Sequence, residues 1–231
     1  MQAEPDLATI ATLIGEPARA AMLAALLGGE SLPAGELANR ARVSPQTASA
    51  HLGRLVAGGL LQVTSTGRHR YYQLRSPEVG AALEALASIA PQARVRSLRE
   101  SEAARALRFA RTCYDHLAGA VGVAVTHGLV DRGLLTAEAD AYHITAAGAR
   151  WFAQWGIDLD QLRQARRGFA KPCLDWSERH YHLAGAVGAA LAQAMLEREW
   201  LVRIEGSRAI RLTDQGRAGL RQELHIELPA R

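Results

Sequence analysis

The sequence predicts a mainly α fold with small β-hairpins, an α+β chain in which a winged helix-turn-helix is followed by two tandem winged-helix-like repeats. Three observations predict it. Residues 34–74 read as helix, turn, helix and hairpin in that order. The heptapeptide HLAGAVG occurs at 116–122 and again at 182–188. Hydrophobic residues make up 48% of the 231 positions and charged residues 22%, an ordinary globular balance that excludes disordered and fibrous classes.

The first 30 residues read as two helices, Asp6–Ile14 and Pro17–Leu27. Apolar positions recur at Leu7, Ile10, Leu13 and Ile14, then at Met22, Leu23, Leu26 and Leu27. Pro17 separates them, because proline disfavours the α conformation in the residue before it. Gly28-Gly29 ends the second. A short helix follows over Ala34–Arg40. Ser44 then offers an N-cap with Pro45 at the first helical position, opening a helix over Pro45–Ala57 that buries Ala48, Leu52, Leu55 and Val56. Leu60–Thr64 and His69–Leu74 alternate as strands about the turn Ser65-Thr66-Gly67-Arg68.

Charge agrees with that pattern. The chain carries a formal +4 and 27 basic residues, of which Lys171 is the single lysine. GC-rich coding also yields arginine in place of lysine, so composition by itself decides nothing. Position is more telling. Between Glu36 and Glu78 there is no acid, yet Arg40, Arg42, Arg54, Arg68, Arg70 and Arg75 fall there. A segment that sheds carboxylates and keeps guanidinium forks suits a polyanion. The outward face of 45–57 presents Gln46, Thr47, Ser49, Ala50 and Arg54 next to the capping Ser44, short polar groups able to approach base edges. The hairpin tip, with Arg68, His69 and Arg70, is placed for phosphates or a minor groove. These residues are the expected DNA contacts. The competing reading is a solvated basic face.

These residues also carry a family pattern. Glu16-Pro17-Ala18-Arg19, Glu36-Leu37-Ala38, Ser44 with Ser49-Ala50-His51-Leu52 and Leu55, Gly59-Leu60-Leu61, and Gly67-Arg68 with Tyr71-Tyr72-Gln73-Leu74 resemble the ArsR/SmtB winged-helix repressors over about the first 90 residues. The resemblance implies a homodimer that binds a palindromic double-stranded operator and is released by an inducer. It does not bring the family's familiar metal sites. Residues 35–40 hold no cysteine or histidine, and Ser76–Ala90, a predicted helix, holds Glu78 and Glu84 but no histidine.

The remainder divides, on this reading, into a connecting helix at 92–111 and a duplicated module at 112–231, with repeats at about 112–166 and 173–231, following a DNA-binding and dimerisation domain at 1–91. The connecting segment is rich in arginine, Arg94 and Arg96 included. After each HLAGAVG the likeness continues: Leu134-Leu135 parallels Trp200-Leu201, and Ile144–Gly148 parallels Leu212–Gly216. Duplication on this scale points to an effector-binding or oligomerisation module.

Both cysteines and three of the eight histidines lie just before the repeated helices. Cys113 and His116, three apart, are expected on one helix face. With Cys173 and His182 they form the ligand set of a transition metal such as zinc. Cys173 has no cysteine counterpart in the first repeat by alignment, which argues against a duplicated site. Cys113 and Cys173 also permit a redox pair if their Cα atoms approach within about 7 Å. A second reading makes the histidines structural. A third is an organic-effector pocket resting on Tyr114, Trp151, Trp155, Trp176 and Tyr181, with Arg111 and Arg179 for an anion; the competing reading makes the same aromatics core. An enzyme using Cys113, Asp115 and His116 is the alternative of a different class, but no phosphate loop, H-E-x-x-H or nucleophile elbow accompanies them. With no secretory leader pattern and two cysteines, the expected setting is cytoplasmic, without a membrane.

Overall fold

A computed structural model describes residues 4–91, 97–165 and 167–229. Arg94 and Arg96 lie outside the described residues. The chain divides into two compact units between Leu83 and Glu84.

The first unit contains α1 (Leu7–Ile14), α2 (Pro17–Leu26), β1 (Leu32–Pro33), α3 (Ala34–Ala41), α4 (Pro45–Ala57), β2 (Leu61–Thr66) and β3 (His69–Leu74), and the division falls inside α5 (Pro77–Ile89). The Ser44 cap is the one the sequence announces, and Asp6, expected as the first helical residue, instead caps α1. Asp6 accepts from Thr9 N at 3.1 Å and Ser44 from Thr47 N at 3.1 Å. Pro45 stands at the first position of α4. Arg42 closes α3 in the left-handed conformation, φ 54°. The core is formed by Met22, Leu23, Leu26, Leu37, Ala48, Leu52, Leu55 and Leu61. Val56, expected in that core, is half-buried. The wing is longer than expected: Ser65 and Thr66 pair with Arg70 and His69, leaving a two-residue turn at Gly67-Arg68. That turn needs a positive φ, which Gly67 supplies at 59°. β1 adds a third antiparallel strand through Leu32 and Tyr72.

The E-P-x-R motif acquires a physical reason here. Glu16 caps α2, accepting from Arg19 N at 2.8 Å. Arg19, buried at 5% exposure, reaches back to the C-terminal carbonyls of α1, Leu13 O at 2.7 Å and Thr12 O at 2.8 Å. His51 of α4 lies 3.6 Å from Glu16 and 3.4 Å from Arg19. One guanidinium thus satisfies the end of one helix beside the start of the next. Arg19→Ala is expected to cost about 1.5–3 kcal/mol, the worth of charge-assisted bonds to a buried group. Urea denaturation checks this, and an unchanged midpoint would remove Arg19 from that role.

The second unit begins with the end of α5 and α6 (Leu98–Phe109), then runs through two repeats. The first has β4 (Arg111–Cys113), β5 (His116–Ala118), α7 (Gly119–Asp131), β6 (Leu135–Ala137), β7 (Tyr142–Ile144), α8 (Ala146–Gln154) and α9 (Leu159–Arg163). The second has β8 (Lys171–Leu174), β9 (Tyr181–Ala184), α10 (Gly185–Glu197), β10 (Leu201–Arg203), β11 (Ile210–Leu212) and α11 (Asp214–Leu224). Each keeps the helix, wing-like hairpin and following helix of the expected repeat and adds another hairpin in front. Packing is reciprocal: α7 lies on β9, α10 on β5, and β5 beside β9. Gly119 and Gly185 open the repeated helices at φ 79° and 81°, with carbonyls 2.6 and 2.5 Å from where a Cβ would stand. A shared core includes Val121, Leu129, Phe152, Val187, Met195 and Leu201.

Candidate nucleic-acid interface and thiol–imidazole cluster

α4 turns Ala48, Leu52 and Leu55 into the core, which forces the intervening positions outward. Ser44, Gln46, Thr47, Ser49, Ala50 and Arg54 are exposed, and so are Arg68, His69 and Arg70 on the wing. Thr47, Ala50 and Arg54 share one stripe by their three- and four-residue spacing. Arg40 is a correction to the six-arginine count: Glu36, one turn earlier on α3, holds it in an ion pair. Its charge is therefore partly spent within the helix.

The second cluster is built by the added hairpins. Cys113 and His116 do not share a helix face. They are cross-strand partners in the β4–β5 hairpin, whose turn, Tyr114-Asp115, holds Tyr114 at φ 59°. Cys173 and His182 are cross-strand partners at the same place in β8–β9. Cys173 therefore does have a counterpart, and it is Cys113. Two residues separate cysteine from histidine in the first repeat and eight in the second. That longer turn shifts the cysteines out of alignment with the 66-residue spacing of the histidines.

The two hairpins bring all four side chains together. Sγ of Cys113 and Sγ of Cys173 are 3.8 Å apart. Nε2 of His116 and Nε2 of His182 are 3.1 Å apart. One ligand atom from each of the four lies within 4.8 Å of the others. Cys113, His116 and His182 are buried, and Cys173 is half-buried.

Carboxylates stand behind both imidazoles. His116 Nδ1 is 3.4 Å from Asp115 Oδ1, and Asp115 is paired with Arg167. His182 Nδ1 is 3.5 Å from Asp175 Oδ2. Asp175 is wholly buried and crosses between repeats: Oδ2 accepts from Arg111 Nη2 at 2.9 Å and from Gly119 N at 2.7 Å. Its Oδ1 accepts from Ser177 N at 2.9 Å, Ser177 Oγ at 2.7 Å and Glu178 N at 3.1 Å. Burial opposes the charge on Asp175, but Arg111 and these donors outweigh it and hold the carboxyl well below its ordinary range. The thiols separate in acidity. The contact with Cys113 holds Cys173 far below the ordinary thiol value against the effect of burial, with help from both histidines. The same contact, with burial, pushes Cys113 up. For His116, burial pulls down, while Asp115 and Cys173 pull harder upward.

The anion-binding role expected of Arg111 does not fit. Its side chain is fully buried, paired with Asp175 and stacked 4.3 Å over Trp176. Arg179 donates to Ser88 O at 2.6 Å, and Tyr181 is exposed. Trp151 and Trp155 are core, packed with Phe152 and Trp200. A cavity of about 10 Å³ lies between α7 and α10, and none of Arg111, Tyr114, Trp176, Arg179 and Tyr181 lines it. Asp175 and Arg167 were missed by sequence reasoning, since nothing local distinguishes them from other charged loop residues.

A buried-core helix carrying an exposed, acid-free polar face beside a basic wing defines a winged helix-turn-helix regulator. Residues 14–64 match the family model described as a helix-turn-helix domain. The chain is 46% identical over 224 residues to the uncharacterized HTH-type transcriptional regulator YdfF of Bacillus subtilis, covering 97% of this chain and 99% of the relative. The chain belongs to this family of HTH-type transcriptional regulators. Among solved structures it is similar to HlyU from Vibrio cholerae, at 29% identity and TM-score 0.34, over 37% of this chain and 91% of that one. It is also similar to the cadmium metal-sensor CMTR from Mycobacterium tuberculosis, at 28% identity and TM-score 0.32, over 39% of this chain and 99% of that one. Among the described residues no single helix is long and apolar enough to cross a membrane.

Proposed function

We propose that this regulator binds a palindromic operator as a homodimer through α4 and the wing, and that a ligand of its second unit controls that binding. The observation that carries the DNA surface is the exposed face of Gln46, Thr47, Ser49, Ala50 and Arg54 between Glu36 and Glu78, a stretch free of acids. Short polar side chains permit close approach to base edges, while Arg54, Arg68 and Arg70 supply the cations that displace counterions from phosphate. Homodimerisation is supported by apolar surface that one chain leaves uncovered. No residue of α1 is buried, and Leu7 and Ile89 are 76% and 79% exposed. A ligand alters operator affinity only by binding the DNA-competent and incompetent states unequally.

Duplexes selected from a random pool by the full-length protein provide the test. Arg54→Ala and Arg68→Ala are each expected to weaken binding. Where the arginine pairs with a phosphate, its removal should reduce the slope of log affinity against log salt by about 1. If Arg54 reads a base edge instead, its removal should relax specificity at one position, at about 1–3 kcal/mol. Wild-type affinity and slope in both variants would remove this surface.

A further inference from the structure

We infer that Cys113, His116, Cys173 and His182 form a four-coordinate site for one divalent transition-metal ion of the zinc type, two ligands coming from each repeat. The inference stands on these four side chains and their surroundings and is independent of operator binding.

Spacing is the first observation. A tetrahedral ion bonded at about 2.3 Å to sulfur and about 2.05 Å to nitrogen needs its sulfurs about 3.8 Å and its nitrogens about 3.3 Å apart. The cluster offers 3.8 Å between sulfurs and 3.1 Å between nitrogens. The widest ligand separation, within 4.8 Å, closes by about 1 Å on ligation.

The second observation is the way the two imidazoles face each other. Each points Nδ1 at a carboxylate, Asp115 at 3.4 Å and Asp175 at 3.5 Å. The two Nε2 atoms face each other at 3.1 Å: with the proton on Nδ1 of both rings two lone pairs meet there, and with a proton on one Nε2 the rings share a single hydrogen bond. In the first of these states the lone pairs repel unless a cation lies between them, and a metal ion is such a cation. His182 Nδ1 is moreover buried without a hydrogen-bond partner among the described residues, 3.5 Å from Asp175 Oδ2. Carboxylates behind ligating histidines orient the ring and raise its basicity.

Charge selects the valence. Asp175 is paired with Arg111, Asp115 with Arg167, and Glu84 with Arg208. These pairs are each neutral, so the buried centre is least costly when it is neutral too. Two thiolates and two neutral imidazoles require a charge of +2. A monovalent ion leaves −1 buried. The mixed sulfur–nitrogen set with tetrahedral spacing suits zinc among the divalent ions. The ion would clamp the two hairpins across the reciprocal interface.

The test uses the full-length chain, reduced and stripped with a chelator, and cobalt(II) as the probe. One cobalt per chain is expected, with the intense visible bands of a four-coordinate ion and thiolate charge-transfer absorption, both abolished by one equivalent of zinc. Cys173→Ser and His182→Gln should weaken uptake at least about 100-fold. Asp115→Asn, a positioning change at a partly exposed side chain, should weaken it about 10- to 100-fold while keeping the same spectrum. Three results would overturn the site: a folded stripped chain, judged by circular dichroism, that takes up no cobalt; uptake without charge-transfer bands; or wild-type affinity in the cysteine and histidine variants. A Cys113–Cys173 disulfide that resists reduction and excludes the ion would overturn it as well.

Discussion

Asp175→Ala is expected to destabilise the second unit by about 3–5 kcal/mol, because it leaves the Arg111 guanidinium buried with its charge uncompensated. Both side chains of the pair are 0% exposed. The change also frees Gly119 N at the start of α7 and the donors in the turn after β8. Its pH dependence follows from the lowered carboxyl. The stabilisation is fully present above the unfolded value, near 3.8, and is lost as pH falls through the lower folded value. The gap between wild type and variant should therefore be widest at neutral pH and narrow in acid below that value. Denaturant midpoints across that range measure it, and a constant gap would mean that the carboxylate is not the source. Replacing both partners, Arg111→Met with Asp175→Leu, should recover much of the stability, since the apolar pair carries no desolvation cost.

The second large effect is steric. A Cβ on Gly148 would stand 2.0 Å from Leu134 O, and one on Gly216 would stand 2.3 Å from Trp200 O. Neither carbonyl is free to retreat. Leu134 O accepts from Thr145 N at 3.2 Å, and Trp200 O from Thr213 N at 3.0 Å. Thr145 and Thr213 in turn cap α8 and α11 through Gly148 N and Gly216 N. Gly148→Ala and Gly216→Ala are each expected to cost about 3 kcal/mol, at the upper end for overpacking. The two costs should be similar, since the T-x-x-G box is the same device in each repeat. Gly53→Ala, mid-helix with nothing within 4 Å among the described residues, should instead stabilise by about 0.5–1 kcal/mol. Thermal unfolding of the three variants settles the comparison. A tolerated Gly148→Ala would show that α8 docks less closely than this geometry requires.

Much of the first unit was legible in sequence because its signals are local. Ser44-Pro45 starts α4, Gly28-Gly29 ends α2, and Gly67 turns the wing, each through a few neighbouring residues. The errors were also local. Ser65 and Thr66 joined the strands because a two-residue turn suffices once Gly67 takes a positive φ. Arg40 shares its charge with Glu36 because the two lie one helical turn apart on α3.

The cluster in the second unit was only half legible. Identity over HLAGAVG made His116 and His182 equivalent at once. Helical spacing misplaced Cys113 beside His116, since the pair sits across a hairpin whose residues oppose each other instead of stacking. Sequence alignment also hid the kinship of Cys113 and Cys173, because the β8–β9 turn is longer than the β4–β5 turn and alignment by position does not follow strand register.

The order of residues was enough to define the helix-turn-helix with its acid-free face, the wing, and the existence of a duplicated second half. All three depend on periodicity, capping and identity, which are properties of neighbouring residues. Folding in three dimensions was needed to bring four ligand-type side chains together, to commit Arg111 to Asp175, and to make Cys113 and Cys173 one position in two copies. Those facts depend on which strands pair and which faces pack, over separations of some sixty residues. Such pairings follow from register and burial across the whole unit and leave no mark on any local stretch of chain.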